Sequence, residues 1–479
     1  MADRTEIPDG YDVLVLGGGP AGMQAALTAR RHGLRVALVD EGQRPGGQVY
    51  RAPSGPTGDV HNKDLARGER LRRDIAACGA AVLSRHSAWA AGADRRVECL
   101  APDGPVSLQA SALILATGTT ERVIPMPGMT LPGVIGLAAA TILLKAHGVV
   151  PGSPAVIAGV GPLLYAVAAA IRRAGGHVAA VVDLLHPAEW AAALPGLASR
   201  PDLLGRGLAW MAGLRAGGVP IHHRATLTAI HGDTSVAEVE IAGVAADWSL
   251  LGQRRRTIPA GSVAIGHGLS PASDFARLLG VPHRFAADRG GWVPELAPDR
   301  RAAEGIYIAG DCAGISGAAA AEFAGMLAGL SAARDLGALE PKRYAALARP
   351  VQRRLRRAER FGSTISRLMT LRPGLARSVA PDTVVCRCED IARAAIDRAA
   401  GEGARHVNQL KSTTRCGMGP CQGRSCADAV AEILAADAGL RREQVGQWTA
   451  RVPLRPIPLA ALLGEFDYAE IPRPPMLPA

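Results

Sequence analysis

The chain contains few aromatic residues, few lysines and no C-x-x-C pair. Aromatic residues account for 4% of its 479 residues, and only four residues are lysines. The absence of a C-x-x-C pair excludes the dithiol chemistry of disulfide reductases. Prolines and glycines interrupt the longest uncharged stretch, 148–171, so it is not an unbroken membrane span. That stretch predicts a strand, a turn and a helix instead.

Length and composition indicate the number and type of domains, and charge indicates which partners the chain favours. A chain of 479 residues predicts two to four domains, and 48% hydrophobic residues with 57 glycines favour α/β domains with closely packed helices. The chain has a net charge of +11, and nearly all of its positively charged residues are arginines. Because these arginines are interleaved with acidic residues along the chain, the charge does not favour nucleic acid as a partner. The polar N-terminus leads directly into a strand, so we expect a cytoplasmic protein without a transmembrane segment. Peripheral binding at the inner face of the membrane stays open.

Two segments repeat one pattern of an apolar strand, a glycine turn, an alanine-rich helix and a second strand that ends in an acid. They span 13–41 and 155–183, and each has the length of a βαβ unit. We therefore expect an α/β fold with two Rossmann-like dinucleotide-binding domains, the second inserted in the first, and a small, mainly helical C-terminal domain. The expected boundaries are 1–125 with 270–340 for the first domain, 126–269 for the second, 341–380 for a basic linker helix, 381–455 for the C-terminal domain and 456–479 for a tail.

The first glycine turn fits the dinucleotide-binding pattern G-x-G-x-x-G between a strand and a helix. Gly17 permits a tight turn, Gly19 lets the backbone approach a pyrophosphate, and Gly22 lets the helix lie close to the strand. Asp40 ends the next strand, where a carboxylate binds the adenosine ribose, and Glu41 is the alternative for that role. The predicted cofactor contacts of this unit are Gly17, Gly19, Pro20, Ala21, Gly22, Asp40 and Glu41.

The second glycine turn fits the pattern less well. Gly159 and Gly161 are in place, but Leu164 stands where a glycine or alanine would allow close packing of the helix. Asp183 ends the following strand and would favour NAD over NADP. The sequence leaves NAD binding open, and it favours a domain that serves as a scaffold or an interface.

Five of the eight cysteines lie between 386 and 426, which predicts a metal or cluster site. Cys386 and Cys388 form a C-x-C pair, and Cys416 and Cys421 form a C-x4-C pair. This arrangement resembles the [2Fe–2S] domain of bacterioferritin-associated ferredoxin, which implies that these four thiolates hold a cluster and that Cys426 is surplus. The alternative is a structural zinc site, which favours C-x2-4-C pairs, so the C-x-C spacing counts against it.

Three further motifs resemble the glutathione-reductase-like flavoproteins, over about 10–340. The resemblance implies that Gly46, Gly47 and Gln48 of the PGGQ motif contact the diphosphate and ring of FAD. It also implies that Thr117 and Gly118 form the crossover turn beside the flavin, and that Gly310 and Asp311 bind its ribityl and phosphate part. The helix that follows could direct its positive N-terminal end at the flavin ring.

The order of all these motifs, ending in CRCE and TRCGMGPCQGRSC, resembles the α subunits of heteromeric, dye-linked amine and amino-acid dehydrogenases, a family that includes opine oxidase, hydroxyproline dehydrogenase and hydrogen cyanide synthase subunits. The resemblance implies a flavoprotein β subunit of amino-acid-oxidase type that oxidises an opine, hydroxyproline, proline or glycine, and it makes this chain the electron relay. An FMN at a subunit interface and a small ferredoxin-like subunit stay open. No pattern predicts a substrate-binding or catalytic residue.

The sequence is also compatible with two functions other than an electron relay. One is a self-contained NADH-dependent reductase that passes electrons out through the cluster. The other is a nucleic-acid or membrane-surface binder that uses the basic helix at 341–360. This last function ranks lowest, because no aromatic residues are interleaved with the arginines of that helix.

Overall fold

The structure, a computed structural model, describes residues 10–54 and 63–462. This part of the chain contains two sheets of Rossmann type, each flanked by helices, and a helical C-terminal region, which confirms the predicted fold class. Within these residues, no helix is both long and apolar enough to span a bilayer. Part of the predicted tail, 456–479, lies outside the described residues.

The first segment of the chain builds most of the first sheet. Its strands are β1 (Tyr11–Leu16), β2 (Val36–Asp40), β3 (Ala81–Ser84), β4 (Ser87–Ala91), β5 (Arg96–Ala101), β6 (Gly104–Leu115) and β7 (Thr119–Glu121). Its helices are α1 (Pro20–Arg31) and α2 (Lys63–Cys78). The run of apolar residues in β1 is buried, as expected for a central parallel strand that is covered on both faces.

The second segment folds into an inserted domain. Its strands are β8 (Val134–Gly136), β9 (Ala155–Gly159), β10 (Val178–Asp183), β11 (Ile221–His223), β12 (Ala225–His231), β13 (Glu238–Gly243), β14 (Arg256–Pro259), β15 (Ser262–Gly266) and β16 (Leu269–Pro271). Its helices are α3 (Leu137–Ile142), which continues into a π-helical turn at Leu143–His147, then α4 (Pro162–Arg173), α5 (Pro187–Leu197) and α6 (Pro201–Ala216). The parallel sheet has the order β11-β10-β9-β15-β8, and β12, β13 and β14 form an antiparallel sheet beside it.

The third segment returns to the first sheet and completes it. It contains α7 (Asp274–Leu278), β17 (His283–Ala286), β18 (Gly291–Pro294), β19 (Arg301–Ala303), β20 (Ile306–Ile308) and α8 (Ala318–Asp335). The path through the first sheet is β19-β20-β6-β1-β2-β3, and β5 and β4 extend from β6. Parallel β20, β6, β1 and β2 place the motifs that follow them at one edge of the sheet.

Helices α1 and α8 approach each other closely because their facing residues are small. A Cβ added at Gly325 would lie 2.0 Å from the Ala21 carbonyl oxygen, and one added at Gly329 would lie 2.7 Å from that of Ala25. No larger side chain fits between the two backbones. The alanine- and glycine-rich composition thus holds the glycine turn and the start of α8 against one another.

Strands β7 and β16 form the connection between the two domains. The Glu121 carboxylate lies at this connection and accepts a hydrogen bond of 2.9 Å from the Ala138 backbone N–H at the start of α3. Burial raises the pKa of Glu121 to about 7. A buried acid therefore ties the inserted domain to the strand that leads into it.

The C-terminal region begins with a long helix that runs back over both domains. Its elements are α9 (Pro341–Leu368), α10 (Pro373–Arg377), β21 (Val384–Cys386), β22 (Ile391–Ala392), α11 (Arg393–Gly401), α12 (Val407–Thr414) and α13 (Ala427–Ala438). Ile396 and Val430 of this region share one buried core with Val160 and Trp248 of the inserted domain. The C-terminal helices are therefore packed onto the inserted domain.

Candidate functional site

The first glycine turn has no room for side chains. Gly17 has a φ of +105°, and a Cβ added there would lie 2.3 Å from the Ala116 carbonyl oxygen. A Cβ added at Gly22 would lie 1.8 Å from the Gly17 carbonyl oxygen. Helix α1 begins directly after Gly19, with Pro20 at its first position, where a missing N–H costs nothing. The turn thus presents a helix N-terminus that suits an anionic diphosphate.

The PGGQ loop lies directly against this turn. The Gly46 N–H donates to the Gly18 carbonyl at 2.8 Å, and a Cβ added at Gly47 would lie 2.9 Å from the Gly19 Cα. Gln48 at the end of the motif is exposed. The structure therefore brings the first two predicted flavin motifs together.

Glu322 of α8 fixes the far side of the PGGQ loop. Its buried carboxylate accepts a hydrogen bond of 2.6 Å from the Tyr50 hydroxyl and one of 3.1 Å from Arg67 Nε. Burial and this hydrogen bond raise the pKa of Tyr50. Glu322 was not among the residues predicted from the sequence, and no local signal could have found it, because its partners lie more than 250 residues away along the chain.

Asp40 and Glu41, the two candidates for ribose binding, have different surroundings. Asp40 accepts hydrogen bonds from the backbone N–H groups of Gly18 at 2.6 Å and Gly42 at 2.7 Å. Burial raises the pKa of Asp40. Glu41 is exposed, and its carboxylate lies 3.9 Å from Arg455 Nε. Asp40 is therefore the acid at the glycine turn.

Asp311 organises the segment that leads into α8. Its Oδ1 atom accepts hydrogen bonds from the backbone N–H groups of Ser316 at 2.8 Å and Gly317 at 2.9 Å. Its Oδ2 atom has no hydrogen-bond partner among the described residues, so it is available to a ligand. The preceding Gly310 lies against α1, since an added Cβ would be 2.9 Å from the Ala21 Cβ.

The crossover turn completes this edge of the sheet. The Thr117 hydroxyl donates to the Ala272 carbonyl at 2.6 Å, and a Cβ added at Gly118 would meet no atom within 4 Å. All four predicted flavin motifs therefore lie at the carboxyl ends of β1, β2, β6 and β20. A helix N-terminus, an acid beside the glycine turn and a second acid with a free oxygen fit the diphosphate, ribose and ribityl groups of FAD.

Lys145 is a second residue near this site that was not predicted from the sequence. It lies in the π-helical turn of the inserted domain, and its Nζ donates to the Val49 carbonyl at 3.3 Å. Burial lowers the pKa of Lys145. The inserted domain thus supplies a cation next to the PGGQ loop, and π-helical turns are often found at functional sites.

The second glycine turn is covered by the chain itself. A Cβ added at Gly161 would lie 2.6 Å from the sulfur of Met369, which follows α9. Arg122 Nη2 donates to the Met369 carbonyl at 2.7 Å and holds it there. A side chain therefore lies where a diphosphate would approach the turn.

Asp183, the acid that would bind an NAD ribose, is fully buried. It accepts hydrogen bonds from the Tyr165 hydroxyl at 2.6 Å and from Trp190 Nε1 at 3.2 Å. Its other oxygen accepts from the Leu185 N–H at 3.0 Å. Burial raises the pKa of Asp183 to about 6. Its carboxylate thus bonds within the domain on both oxygens.

Three buried cysteines form a compact group in the C-terminal region. The sulfur atoms of Cys386, Cys416 and Cys426 all lie within 4.8 Å of one another. Hydrogen bonds from the Cys416 and Cys426 thiols lower the pKa of Cys386 to about 2, and the same contacts raise the pKa of Cys426. A bound metal would let all three thiols ionise, because the thiolate is the form that binds a metal.

Cys388 and Cys421 form a second, more exposed pair. Cys388 is exposed, Cys421 is partly buried, and the two thiols interact with each other. A Cβ added at Gly419 would lie 2.2 Å from the Cys388 Cβ, which shows how closely the two loops meet. The structure thus places two predicted ligands, Cys386 and Cys416, in the compact group with Cys426, which was predicted to be surplus. The other two predicted ligands, Cys388 and Cys421, form the second pair.

The cysteine loops directly contact the segment of the chain that completes the first sheet. Arg424 Nη1 donates to the Cys421 carbonyl at 3.1 Å, and its Nη2 atom lies 3.1 Å from Asp274 Oδ2. Asp274 follows two residues after Ala272, whose carbonyl accepts the hydrogen bond from Thr117 of the crossover turn. A short series of contacts therefore joins the crossover turn to the cysteine site.

Comparison with known proteins agrees with this arrangement. A family described as pyridine nucleotide-disulphide oxidoreductase matches residues 11–325, and the sarcosine oxidase A3 domain matches residues 381–465. An opine oxidase subunit from Agrobacterium tumefaciens (strain Ach5) is 35% identical over 96% of this chain and 92% of its own length. Hydrogen cyanide synthase subunit HcnB of Pseudomonas aeruginosa is 33% identical over 94% of this chain and 97% of its own length.

A solved structure extends the likeness of fold to the C-terminal region. L-proline dehydrogenase from P. horikoshii superposes with a TM-score of 0.67, with 19% identity, over 95% of this chain and 80% of the other. Together with the site geometry, these relatives make the protein an FAD-dependent oxidoreductase. The chain belongs to the pyridine nucleotide-disulphide oxidoreductase family, in the group that contains these opine oxidase and hydrogen cyanide synthase subunits.

Proposed function

We propose that this chain is the electron-relay subunit of a heteromeric dehydrogenase that oxidises a secondary amine or an amino acid of the opine, hydroxyproline, proline or glycine class. The observation that carries the proposal is the series of contacts from Thr117 through Ala272 and Asp274 to Arg424 and Cys421. This series joins a flavin-binding edge to a group of five thiols within one chain. FAD, when bound, accepts electrons in pairs and releases them singly.

The flavin-binding residues hold and orient the cofactor. Asp40 binds the ribose, the N-terminus of α1 at Gly19 binds the diphosphate, and Asp311 Oδ2 binds the ribityl part. Gly46 and Gly47 carry the PGGQ loop against the turn, and Glu322 anchors that loop from behind. Contacts within the chain thus hold both sides of the position proposed for the diphosphate.

The thiols hold a [2Fe–2S] cluster. Cys386, Cys388 and Cys421 supply three of its four ligands, and either Cys416 or Cys426 supplies the fourth. Both of these last two sulfur atoms lie within 4.8 Å of the Cys386 sulfur, so both are in position. Four thiolates are the usual ligand set of such a cluster.

Electrons enter from a partner rather than from NADH. The second glycine turn is covered by Met369, and Asp183 is fully buried and bonded to Tyr165 and Trp190, so neither is free for a nicotinamide dinucleotide. The partner is a flavoprotein of amino-acid-oxidase type. The relatives from opine oxidase and hydrogen cyanide synthase are themselves single subunits of those enzymes, which supports a chain that works with other subunits.

The test is purification of the chain with and without its partner under anaerobic conditions. We expect one FAD and one [2Fe–2S] cluster in the lone chain, and amine dehydrogenase activity with an artificial acceptor only in the complex. Flavin analysis of both samples also shows whether an FMN joins the complex. Rapid, saturable oxidation of proline, hydroxyproline, glycine or an opine by the lone chain would refute the relay.

Asp311→Ala tests the flavin site within the same experiment. It removes a buried charge-assisted hydrogen bond worth about 1.5–3 kcal/mol, so we expect the variant to bind FAD more weakly than the parent by about tenfold or more.

Metal analysis of the same samples tests the cysteine site. Stoichiometric zinc without labile sulfide at the cysteines would show a structural metal site in place of the cluster.

A further inference from the structure

Helices α5 and α6 leave an apolar surface of the inserted domain uncovered. Helix α6 buries only Leu214 of its 16 residues, and α5 buries only Leu197 of its 11. Leu208 of α6 is 50% exposed and Leu194 of α5 is 44% exposed. A helix with this many apolar residues normally buries a stripe of them. Trp210 and Met211 of α6 pack against the core of the inserted domain. The other partly or largely exposed apolar residues are Leu194, Leu203, Leu204 and Leu208, which we name the α5–α6 face.

The glycines of α6 show that one side of this helix is uncovered within the described residues. A Cβ added at Gly205, Gly207 or Gly213 would meet no atom within 4 Å. These positions would let another backbone come close to α6. The α5–α6 face is therefore both apolar and open, which is typical of a protein–protein interaction site.

Helix α9 borders this face with positive charge. A Cβ added at Gly196 of α5 would lie 2.2 Å from Thr364 Oγ1, and Arg357 Nε donates to the Ser199 carbonyl at 3.4 Å. Nine Lys or Arg residues and one Glu give α9 eight of the chain's eleven net positive charges. That Glu, Glu359, bonds to Arg300 at 3.1 Å, so it leaves the exposed arginines without a carboxylate on their own helix.

The face also adjoins the flavin-binding half. Arg206 of α6 lies 3.3 Å from Asp64 of α2, and Arg200 lies close enough to Tyr50 of the PGGQ loop to interact with it electrostatically. A protein bound on the α5–α6 face would therefore lie beside the loop that holds the flavin.

We propose that the α5–α6 face, with the arginines of α9 at its border, is the docking surface for a second, non-identical subunit that presents an apolar patch edged by carboxylates. The proposal rests on the proposed function, which requires a partner that delivers electrons beside the flavin. A second copy of this chain fits poorly, because two-fold pairing on this face would bring two strongly basic helices to one interface, and like charges there repel. An acidic partner satisfies both the apolar and the charged parts of the surface.

The test measures binding of the purified chain to its separately purified flavoprotein partner. Leu208→Glu and Leu194→Glu place a charge in the face, and we expect each to weaken binding about tenfold or more. Leu251→Glu is the matched control, because Leu251 is 54% exposed in the loop between β13 and β14 and is not part of the face. We expect the control to bind like the parent. Flavin content and thermal unfolding of each variant show whether it is folded.

Charge reversal tests the border of the face. Arg353→Glu with Arg357→Glu should weaken binding about tenfold and reduce its dependence on salt, since rim charges act through long-range attraction. Gel filtration of the lone chain and binding to vesicles of anionic lipid complete the experiment. The docking proposal fails if folded Leu208→Glu and Leu194→Glu bind as tightly as the parent. It also fails if the two variants bind the partner normally and their sole effect is to convert a dimer of this chain to monomers or to weaken its binding to the vesicles.

The outcomes separate this proposal from the proposed function. If the variants break a complex that shows no amine dehydrogenase activity, the docking surface stands and the relay function fails. If an active complex survives both substitutions, the relay stands and the docking surface is wrong.

Discussion

The sulfur of Met369 lies over Gly161, 2.6 Å from the position of a Cβ added at that glycine. The contact joins the end of α9 to the glycine turn of the inserted domain, and Arg122 holds it by a hydrogen bond to the Met369 carbonyl. A side chain of the chain itself therefore lies beside the glycine turn at which Rossmann-like domains usually bind a dinucleotide.

We expect NADH to reduce the flavin of this chain slowly or not at all. Met369→Ala alone should not change this, because Asp183 stays fully buried and bonded to Tyr165 and Trp190, out of reach of a ribose. Anaerobic stopped-flow absorbance at the flavin band measures the rate, and dithionite, which needs no binding site, should reduce both proteins fully. Fast and saturable reduction of the parent by NADH would favour the self-contained reductase instead.

Asp40 and Glu41 provide a matched pair for the ribose contact. Asp40→Asn should weaken FAD binding by about 1.5–3 kcal/mol, because it removes a charge at the glycine turn. Glu41→Gln, at the next position but exposed, should leave FAD binding unchanged. The measurement is the dissociation constant of FAD for the deflavinated protein. Equal effects of the two substitutions would contradict the assignment of Asp40.

The five cysteines should not respond equally to substitution. Cys386→Ser, Cys388→Ser and Cys421→Ser should each lose the cluster, whereas Cys416→Ser and Cys426→Ser should each retain it, because the remaining thiol of the pair can take the fourth position. The double variant Cys416→Ser with Cys426→Ser should lose it. Iron, labile sulfide and the paramagnetic signal of the reduced protein are the measurements. Loss of the cluster in only one of the two single variants would identify a unique fourth ligand and refute the exchange.

Glu121 should make the stability of the domain connection depend on pH. Burial raises its pKa from the ordinary 4.5 to about 7, so the folded protein binds more protons than the unfolded chain between these two values. The free energy of unfolding then falls as the pH rises from 4.5 to 7, by at most about 3 kcal/mol.

Substitution of Glu121 isolates that contribution. In Glu121→Gln the side chain cannot ionise, so the variant should gain stability relative to the parent between pH 5 and pH 8. Thermal unfolding at both pH values measures the difference, and Glu304→Gln on the surface is the control. A melting-temperature difference that does not vary with pH would show that Glu121 does not ionise in this range.

The position of the four predicted flavin motifs at one edge of the sheet could be predicted from sequence, because each motif follows a parallel strand. Motifs at the ends of β1, β2, β6 and β20 must meet at one edge of the sheet, whatever their separation along the chain. Glu322 and Met369 could not be predicted in the same way. Each acts through contacts with residues far away in sequence, and neither lies in a motif, so only the packing of α8 and α9 reveals them.

The cysteine site shows where spacing stops being informative. Cys416 and Cys421 are separated by four residues, and so are Cys421 and Cys426, so the C-x4-C pattern fits both pairs. The predicted ligands came from the first pair. The structure places Cys426 at the start of α13, where its sulfur joins those of Cys386 and Cys416. The choice between the two pairs depends on how a helix begins, which spacing alone does not specify.

The C-terminal helices share a buried core with the inserted domain. This core holds the cysteine site in one position relative to the rest of the chain. Any movement of the site away from the flavin would separate Ile396 and Val430 from Trp248 and Val160 and expose them to water, at about 25 cal/mol for each Å² of apolar surface. The position of the cysteine site relative to the inserted domain is therefore set when the chain folds. In the proposed relay, an external acceptor would have to approach the exposed Cys388, because the other cysteines of the site are partly or fully buried.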